Sequence, residues 1–402
     1  MSKNRIIWTQ RIFSHPDNVI RLGSLFSGIG AIEHALKRLN IKTEIQFASD
    51  IEPNCKKSYF ANYEITEDRW CPDVHKLDAK PYRYKVDLLV GGAPCQAFSL
   101  VGKRLGFEDT RGTLFREFAR IVKECKPKVF IFENVKGMLN HNKGITWQVI
   151  KNTFEQDLKY DIHCQVLNSR DYGIPQNRER LFCIGFRKKT DFEFPQPIEL
   201  KYKMYDFLQD TINSEYFLGD KGVKFVTSHK NRQKRYTQIN GDIALCQKRN
   251  QEFNWHGDFV YHPLAQGDER YDEFIFDVND VEEKYYLSDK VKKYVLSPGT
   301  KNFHTKIETD LDVARPLLQS MHKMHRAGVD NSVTYNEKKG IDGLRKLTPR
   351  ECLRLMGFKD DFKIAVSNTS AYMEAGNSIV VDVLIALLKQ LDITKYGVSN
   401  EE

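Results

Sequence analysis

Short apolar runs recur along the first 190 residues of this chain, each followed by a stretch with helical spacing. VDLLVGG (86–92) and KVFIFENV (128–135) are nearly unbroken in their hydrophobicity. Strands of that kind are buried on both faces, which is the condition of a parallel sheet covered by helices. VIRLGSLF, TEIQFAS, HCQVLNS and RLFCIGFR read as further strands. AIEHALKRLN, EPNCKKSYFANY, LFREFARIVKECK and ITWQVIKNTFEQDLKY read as the helices between them. The alternation predicts an α/β fold with a doubly wound, mostly parallel sheet.

From Lys201 to about Lys339 this regularity lapses. Residues 221–250 carry eight Lys/Arg and one acid, and residues 251–284 carry ten acids and two Lys/Arg. After Gly340 the pattern returns. RKLTPRECLRLMGF reads as a helix with Thr348 as N-cap and Pro349 in its first turn. SIVVDVLIALLKQL reads as a buried helix. The predicted organisation is a discontinuous domain, 1–195 plus 341–402, interrupted by an irregular one over 196–340.

A chain of 402 residues with 41% hydrophobic residues can bury a sizeable core. Its formal charge of +8 permits a polyanionic partner without requiring one. The eight cysteines include no C-x-x-C pair, so no zinc-type spacing is present and no metal site is expected. With no signal-like leader and no long apolar run, the expected protein is cytoplasmic, with reduced thiols and no membrane span.

Four stretches carry reactive chemistry. In SLFSGIGAIEHAL, Gly28 and Gly30 form a strand-to-helix turn that backbone can use to approach a ligand. The third glycine of the dinucleotide fingerprint is replaced by Glu33, which favours an adenosyl ligand without phosphates. Asp50, at the end of the next strand, is either a ribose acceptor or a helix cap. In VGGAPCQAFS, Cys95 follows an apolar strand directly after Pro94 and is either a small core residue or a nucleophile facing a crevice. In FENV, Glu133 ends a strand as a cap or a proton carrier. In QNRER, Arg178 and Arg180 share a strand face, either as a surface stripe or as a grip on one anionic or carbonyl group.

Taken in order, these stretches resemble the cytosine-C5 DNA methyltransferase family, of the bacterial restriction-modification type. SLFSGIG, GGAPCQAFS, FENVKGM, QNRER, RKLTPRECLRLMGF and EAGNSIVVDVL are similar to six of its motifs. The likeness covers 20–190 and 345–390 and leaves unmatched the middle, where the family keeps its target-recognition domain. Two departures stand out: Ser24 where the family often has Asp, and Ala31 where it often has Gly.

The resemblance implies a Rossmann-like S-adenosyl-L-methionine-dependent enzyme that methylates C5 of a flipped cytosine in a specific duplex sequence. It gives Cys95, Glu133, Arg178 and Arg180 catalytic roles. Phe26, Gly28, Gly30, Asp50, Ile51, Asp73, Val74, Pro94, Leu114, Asn377 and Ile379 become cofactor contacts. Residues 100–112 become a closing loop, with Gln96, Ser99, Lys103 and Arg104 as DNA contacts. Lys230, Arg232, Lys234 and Arg235 are candidate contacts in the middle region. A monomer acting on duplex DNA beside a separate restriction endonuclease completes the expectation. Two other readings are a tRNA cytosine-C5 methyltransferase and a non-catalytic DNA-binding protein of the same fold.

Overall fold

The computed structural model describes residues 7–93, 114–209, 216, 218, 220–234, 236–249, 255–262, 299–300, 303–304 and 343–399. Pro94, Cys95, Gln96, Ser99, Lys103, Arg104, Arg235 and the segment 100–112 lie outside the described residues.

Seven strands form one sheet: β1 (Ile20–Leu25), β2 (Thr43–Ser49), β3 (Trp70–Cys71), β4 (Leu88–Gly91), β5 (Val129–Val135), β6 (Asp161–Asn168) and β7 (Glu179–Phe186). Their order is β3-β2-β1-β4-β5-β7-β6. The pairs from β3 to β5 are parallel, and β7 runs antiparallel to both β5 and β6. The expected doubly wound, mostly parallel sheet is therefore present, and its order reverses between β1 and β4. Sheets of this kind leave a crevice at such a reversal, beyond the carboxyl ends of the strands.

Side-chain alternation explains why the strands are apolar throughout. Within β5, Val129 and Ile131 join the core on one face while Phe130 and Phe132 join the core on the other. The first core also takes up α1 (Ala31–Arg38) through Ile32, Ala35 and Leu36. The second is built on α3 (Leu114–Cys125), after α2 (Pro53–Asn62), with Phe118, Phe130, Phe132 and Phe154 forming a ring cluster. Tilted and edge-to-face contacts of this type add to the burial of each ring.

Helix α4 spans Ile145–Asn152, and a π turn at Thr153–Asp157 ends the long helix expected there. In the middle region, α5 (Asp220–Thr227) and α6 (His229–Gln233) precede β8 (Thr237–Ile239) and β9 (Gly257–His262). β10 (Gly299–Thr300) pairs antiparallel with β11 (Phe303–His304). β12 (Gly343–Lys346) completes a three-stranded sheet of order β12-β9-β8.

The returning chain forms α7 (Pro349–Arg354), α8 (Asn368–Asn377) and α9 (Val381–Leu391). Thr348 caps α7 as predicted: its hydroxyl accepts the Glu351 N–H at 3.2 Å, and the Glu351 carboxylate accepts the Thr348 N–H at 2.9 Å. Such reciprocal capping satisfies two orphan donors at once. The apolar stretch Asn368–Leu391 is long enough to cross a membrane by composition, yet it is split into α8 and α9. The α9 residues Val381, Leu384, Leu387 and Leu388 are fully buried in the first core.

The chain divides into two compact units, one of residues 1–260 with 344–402 and one of residues 261–343. The first unit is discontinuous and holds the seven-stranded sheet.

Candidate active site

At the carboxyl ends of β1 and β4 a cavity opens, lined among others by Phe26, Gly28, Glu133, Asn377 and Ile379. Two turns shape it. Gly28 and Gly30 have φ values of +53° and +80°, a region that side chains other than glycine enter at a cost. A Cβ on Gly28 would meet nothing within 4 Å, so its backbone faces open space. Phe26 also has a positive φ of 52°. A bulky residue held there is strained, and such residues cluster at ligand sites.

Gly30 does not face the cavity. A Cβ on it would strike the Tyr63 ring, and the Tyr63 hydroxyl donates to its carbonyl at 2.8 Å. It stands as the N-cap of α1, with Tyr63 filling the space above it.

Asp50 stands at the edge of the cavity, bound to it through Gly28. One carboxylate oxygen accepts the Gly28 N–H at 2.8 Å and the other accepts the Glu52 N–H at 2.9 Å. Burial pushes its pKa up, and the two N–H groups partly offset that. A carboxylate has about four lone-pair sites, so each oxygen keeps one for a further donor. Asp50 therefore shapes the turn while keeping spare acceptor capacity. Beside it Ile51 is 79% exposed, an apolar surface left without cover.

Other expected contacts fall elsewhere among the described residues. The Asp73 carboxylate caps its own turn, accepting the His75 N–H at 3.0 Å and meeting the His75 ring at 2.9 Å, which lowers its pKa. Val74 is buried in the second core, and Leu114 packs against that core from the first turn of α3.

On the β5 side, Glu133 Oε1 lies 3.2 Å from Arg180 Nε, with the Glu133 side chain only 12% exposed. The antiparallel register of β5 and β7, which sets Val135 opposite Arg180, brings the two together. Burial raises the Glu133 pKa, opposed by the charges of Arg180 and Arg178. A Cβ on Gly92 would come within 2.7 Å of Glu133 Oε2, so glycine at 92 leaves room for the carboxylate.

Both arginines approach the Cys246 thiol, at 3.7 and 3.9 Å, but their other partners differ. Arg178 is 4% exposed and donates to the carbonyls of Gln247, Gly376 and Ser378 at 3.0, 3.0 and 2.8 Å. It ties the returning chain to β7. Arg180 alone meets Glu133.

Two residues within the quoted motifs were passed over. Asn134 donates to the Ala93 carbonyl at 3.0 Å and fixes the chain just before Pro94. Gln176 is fully buried; it donates to the Leu355 carbonyl at 2.8 Å and accepts the Gln247 N–H at 3.1 Å. Their positions inside FENV and QNRER were the available signal. Lys230, Arg232 and Lys234 are exposed on and after α6. No group of three or more metal-ligating side chains occurs among the described residues.

Comparison with known proteins places this geometry. The family model described as C-5 cytosine-specific DNA methylase matches residues 20–392. The chain belongs to that family. The protein is a DNA cytosine-C5 methyltransferase.

Among this methyltransferase's curated relatives, the Type II methyltransferase M1.ScrFI of Lactococcus lactis subsp. cremoris is 33% identical over 91% of this chain and 76% of its own length. The Type II methyltransferase M.HpaII of Haemophilus parainfluenzae is 33% identical, over 93% and 89%. In structure, the chain is similar to the S. pombe Dnmt2 methyltransferase, with a TM-score of 0.58 and 18% identity over 92% of this chain and 97% of that one. The Spodoptera frugiperda DNMT2 mutant gives a TM-score of 0.60 at 17% identity, over 92% and 99%. At those identities the structural likeness speaks for the methyltransferase fold alone.

Proposed function

We propose that this methyltransferase acts on C5 of cytosine in a specific duplex DNA sequence, uses S-adenosyl-L-methionine, and works through a covalent bond from Cys95 to C6 of a flipped base. The observation that carries the reading is Glu133, paired with Arg180, in the wall of the cavity that Phe26, Gly28, Asn377 and Ile379 also line.

The residues fit an adenosyl ligand. Asp50 has lone pairs left for two ribose hydroxyls, Ile51 offers an uncovered apolar face for the adenine, and Gly28 leaves backbone open to the cavity. When bound, S-adenosylmethionine supplies an electrophilic methyl group. Contacts from Asp73, Val74, Pro94 and Leu114 remain part of the proposal.

Cytosine C5 is a poor nucleophile, and a stacked base exposes neither face of C6, so the base must leave the helix. The Cys95 thiolate then adds to C6 and makes C5 electron-rich. Glu133, whose burial favours its protonated form, holds a proton at N3 and draws off the developing charge. Arg180 donates to the base carbonyl and steadies Glu133. Arg178 acts indirectly, by holding the segment that carries Asn377. Once C5 has taken the methyl group, whose bond to the donor sulfur breaks in the same step, loss of the C5 proton and departure of Cys95 restore the aromatic ring.

Residues 196–340 serve as the recognition domain, where Lys230, Arg232, Lys234 and Arg235 meet phosphates. Gln96, Ser99, Lys103 and Arg104 meet DNA from the loop after Cys95. The protein works as a cytoplasmic monomer beside a separate endonuclease. The formation of the Glu133–Arg180 pair is what favours an enzyme over a binding protein that merely kept the fold.

The test is Cys95→Ser assayed on duplex DNA. Methyl transfer is expected to vanish while DNA binding survives. A cytosine analogue blocked at C5 is expected to trap an adduct on Cys95 of the wild type, and an adduct on any other cysteine reassigns the nucleophile.

A further inference from the structure

Ser24, which stands where the family often has Asp, acts electrostatically on Glu33, which stands where the dinucleotide fingerprint has Gly. Ser24 lines the cavity near the end of β1. Glu33 lies in the first turn of α1 and is 5% exposed. The Tyr59 hydroxyl donates to Glu33 Oε1 at 2.6 Å, while Glu33 Oε2 is buried with no hydrogen-bond partner. No basic side chain pairs with Glu33 among the described residues. Ser24 is the other side chain that stabilises its charge, against the burial that raises its pKa.

A buried carboxylate oxygen left unpaired is costly, and its retention calls for a reason. The neighbouring acids are already committed. Glu133 is answered by Arg180, and Asp50 by two backbone N–H groups. Glu33 is the one acid, among the described residues, with a buried oxygen that no hydrogen bond reaches. A cation in the cavity would favour its ionised form, and the amino-acid end of S-adenosylmethionine carries an ammonium. Ser24 can join the two, because a hydroxyl donates one hydrogen bond and accepts two.

We propose that Glu33 is a positioning residue for the ammonium of the ligand's amino-acid portion, acting through the Ser24 hydroxyl. The Ser24–Glu33 pair then replaces the single aspartate frequent at position 24 in the family. This rests on the cofactor reading above and adds to it the residue that recognises one end of the cofactor.

The test compares calorimetric affinities for S-adenosylhomocysteine, which has the ammonium, and 5′-methylthioadenosine, which lacks the amino-acid portion. Glu33→Gln keeps the shape and the Tyr59 bond. It is expected to weaken S-adenosylhomocysteine binding about tenfold and leave methylthioadenosine within about twofold. Adding Ser24→Asp to that variant is expected to recover most of the loss. Equal weakening of both ligands, or no weakening of the first, overturns the proposal. If Glu33→Gln does not fold, the wild type decides: a deaminated S-adenosylhomocysteine should bind it about tenfold more weakly than the parent, and equal binding overturns the idea. A wild type that binds neither nucleoside defeats the cofactor reading itself.

Discussion

Asp50, after the end of β2, and Glu133, near the end of β5, are half-buried carboxylates at one end of the sheet, and desolvation raises the pKa of both. What restrains them differs. Asp50 is pinned by two backbone N–H groups, from Gly28 and Glu52, so it cannot turn without deforming the β1–α1 connection. Glu133 is held by a side chain, Arg180, in space that Gly92 leaves open. A backbone-anchored acid suits a fixed acceptor. An acid anchored by a side chain can change partner and protonation state, as a proton carrier must. The same residue class thus serves two purposes according to its restraint.

Glu133→Gln tests the mobile member and should have the largest effect. Turnover in a single-turnover methyl-transfer assay is expected to fall by about 10²–10⁴, with S-adenosylhomocysteine binding preserved. Wild-type turnover would reduce Glu133 to a structural acid.

The arginines that flank Glu179 extend the contrast. Arg178→Ala leaves three buried carbonyls without their donor and is expected to cost roughly 3–5 kcal/mol in urea unfolding. Arg180→Ala should cost less stability and far more activity. If the two variants lose stability equally, the division of labour between them is wrong.

Asp50→Ala addresses the fixed member. Calorimetry should show S-adenosylmethionine binding weakened by roughly 1.5–3 kcal/mol, the worth of charge-assisted hydrogen bonds. Unchanged affinity would make Asp50 a turn-former only.

The smallest expected effect concerns Glu374, a buried acid of α8 electrostatically coupled to Asp50. Both its oxygens lie 3.0 Å from the Ser58 hydroxyl, and burial pushes its pKa up to about 7, from an ordinary value of 4.5. The folded state therefore keeps a proton that the unfolded chain releases earlier. Its stabilising contribution is complete below pH 4.5 and is lost as pH rises toward about 7. Melting curves across that window should show the wild type losing stability relative to Glu374→Gln as pH rises. Parallel curves for the two proteins would mean that Glu374 does not titrate there.

The sheet was readable from the sequence because strands covered on both faces leave uninterrupted apolar runs, as in Val86–Gly92. The order of motifs likewise placed Glu133 and Asn377 on one cavity. What Arg178 and Arg180 each touch was not readable. That depends on where Cys246–Gln247 and Gly376–Ser378 come to rest, 66–200 residues along the chain. Local spacing holds no record of such contacts. The surroundings of Gly30 were hidden for a similar reason: a positive φ was foreseeable, but Tyr63 filling the space above it was not. Helix α8 escaped notice because its face carries Ser, Glu, Asn and Gly among few apolar residues.

The binding of the Gly376 and Ser378 carbonyls by Arg178 has a consequence during synthesis. Asp50 and Gly28 leave the ribosome long before Asn377 and Ile379, which close the same cavity. At about 5–20 residues per second, the wait between Asp50 and Asn377 is on the order of half a minute. From its own synthesis until then Arg178 has no carbonyls from this segment to hold, and the apolar surfaces meant for α9 stay uncovered. A nascent chain is therefore at its most aggregation-prone just before it becomes competent, and slowed elongation over residues 347–391 would lengthen that exposure.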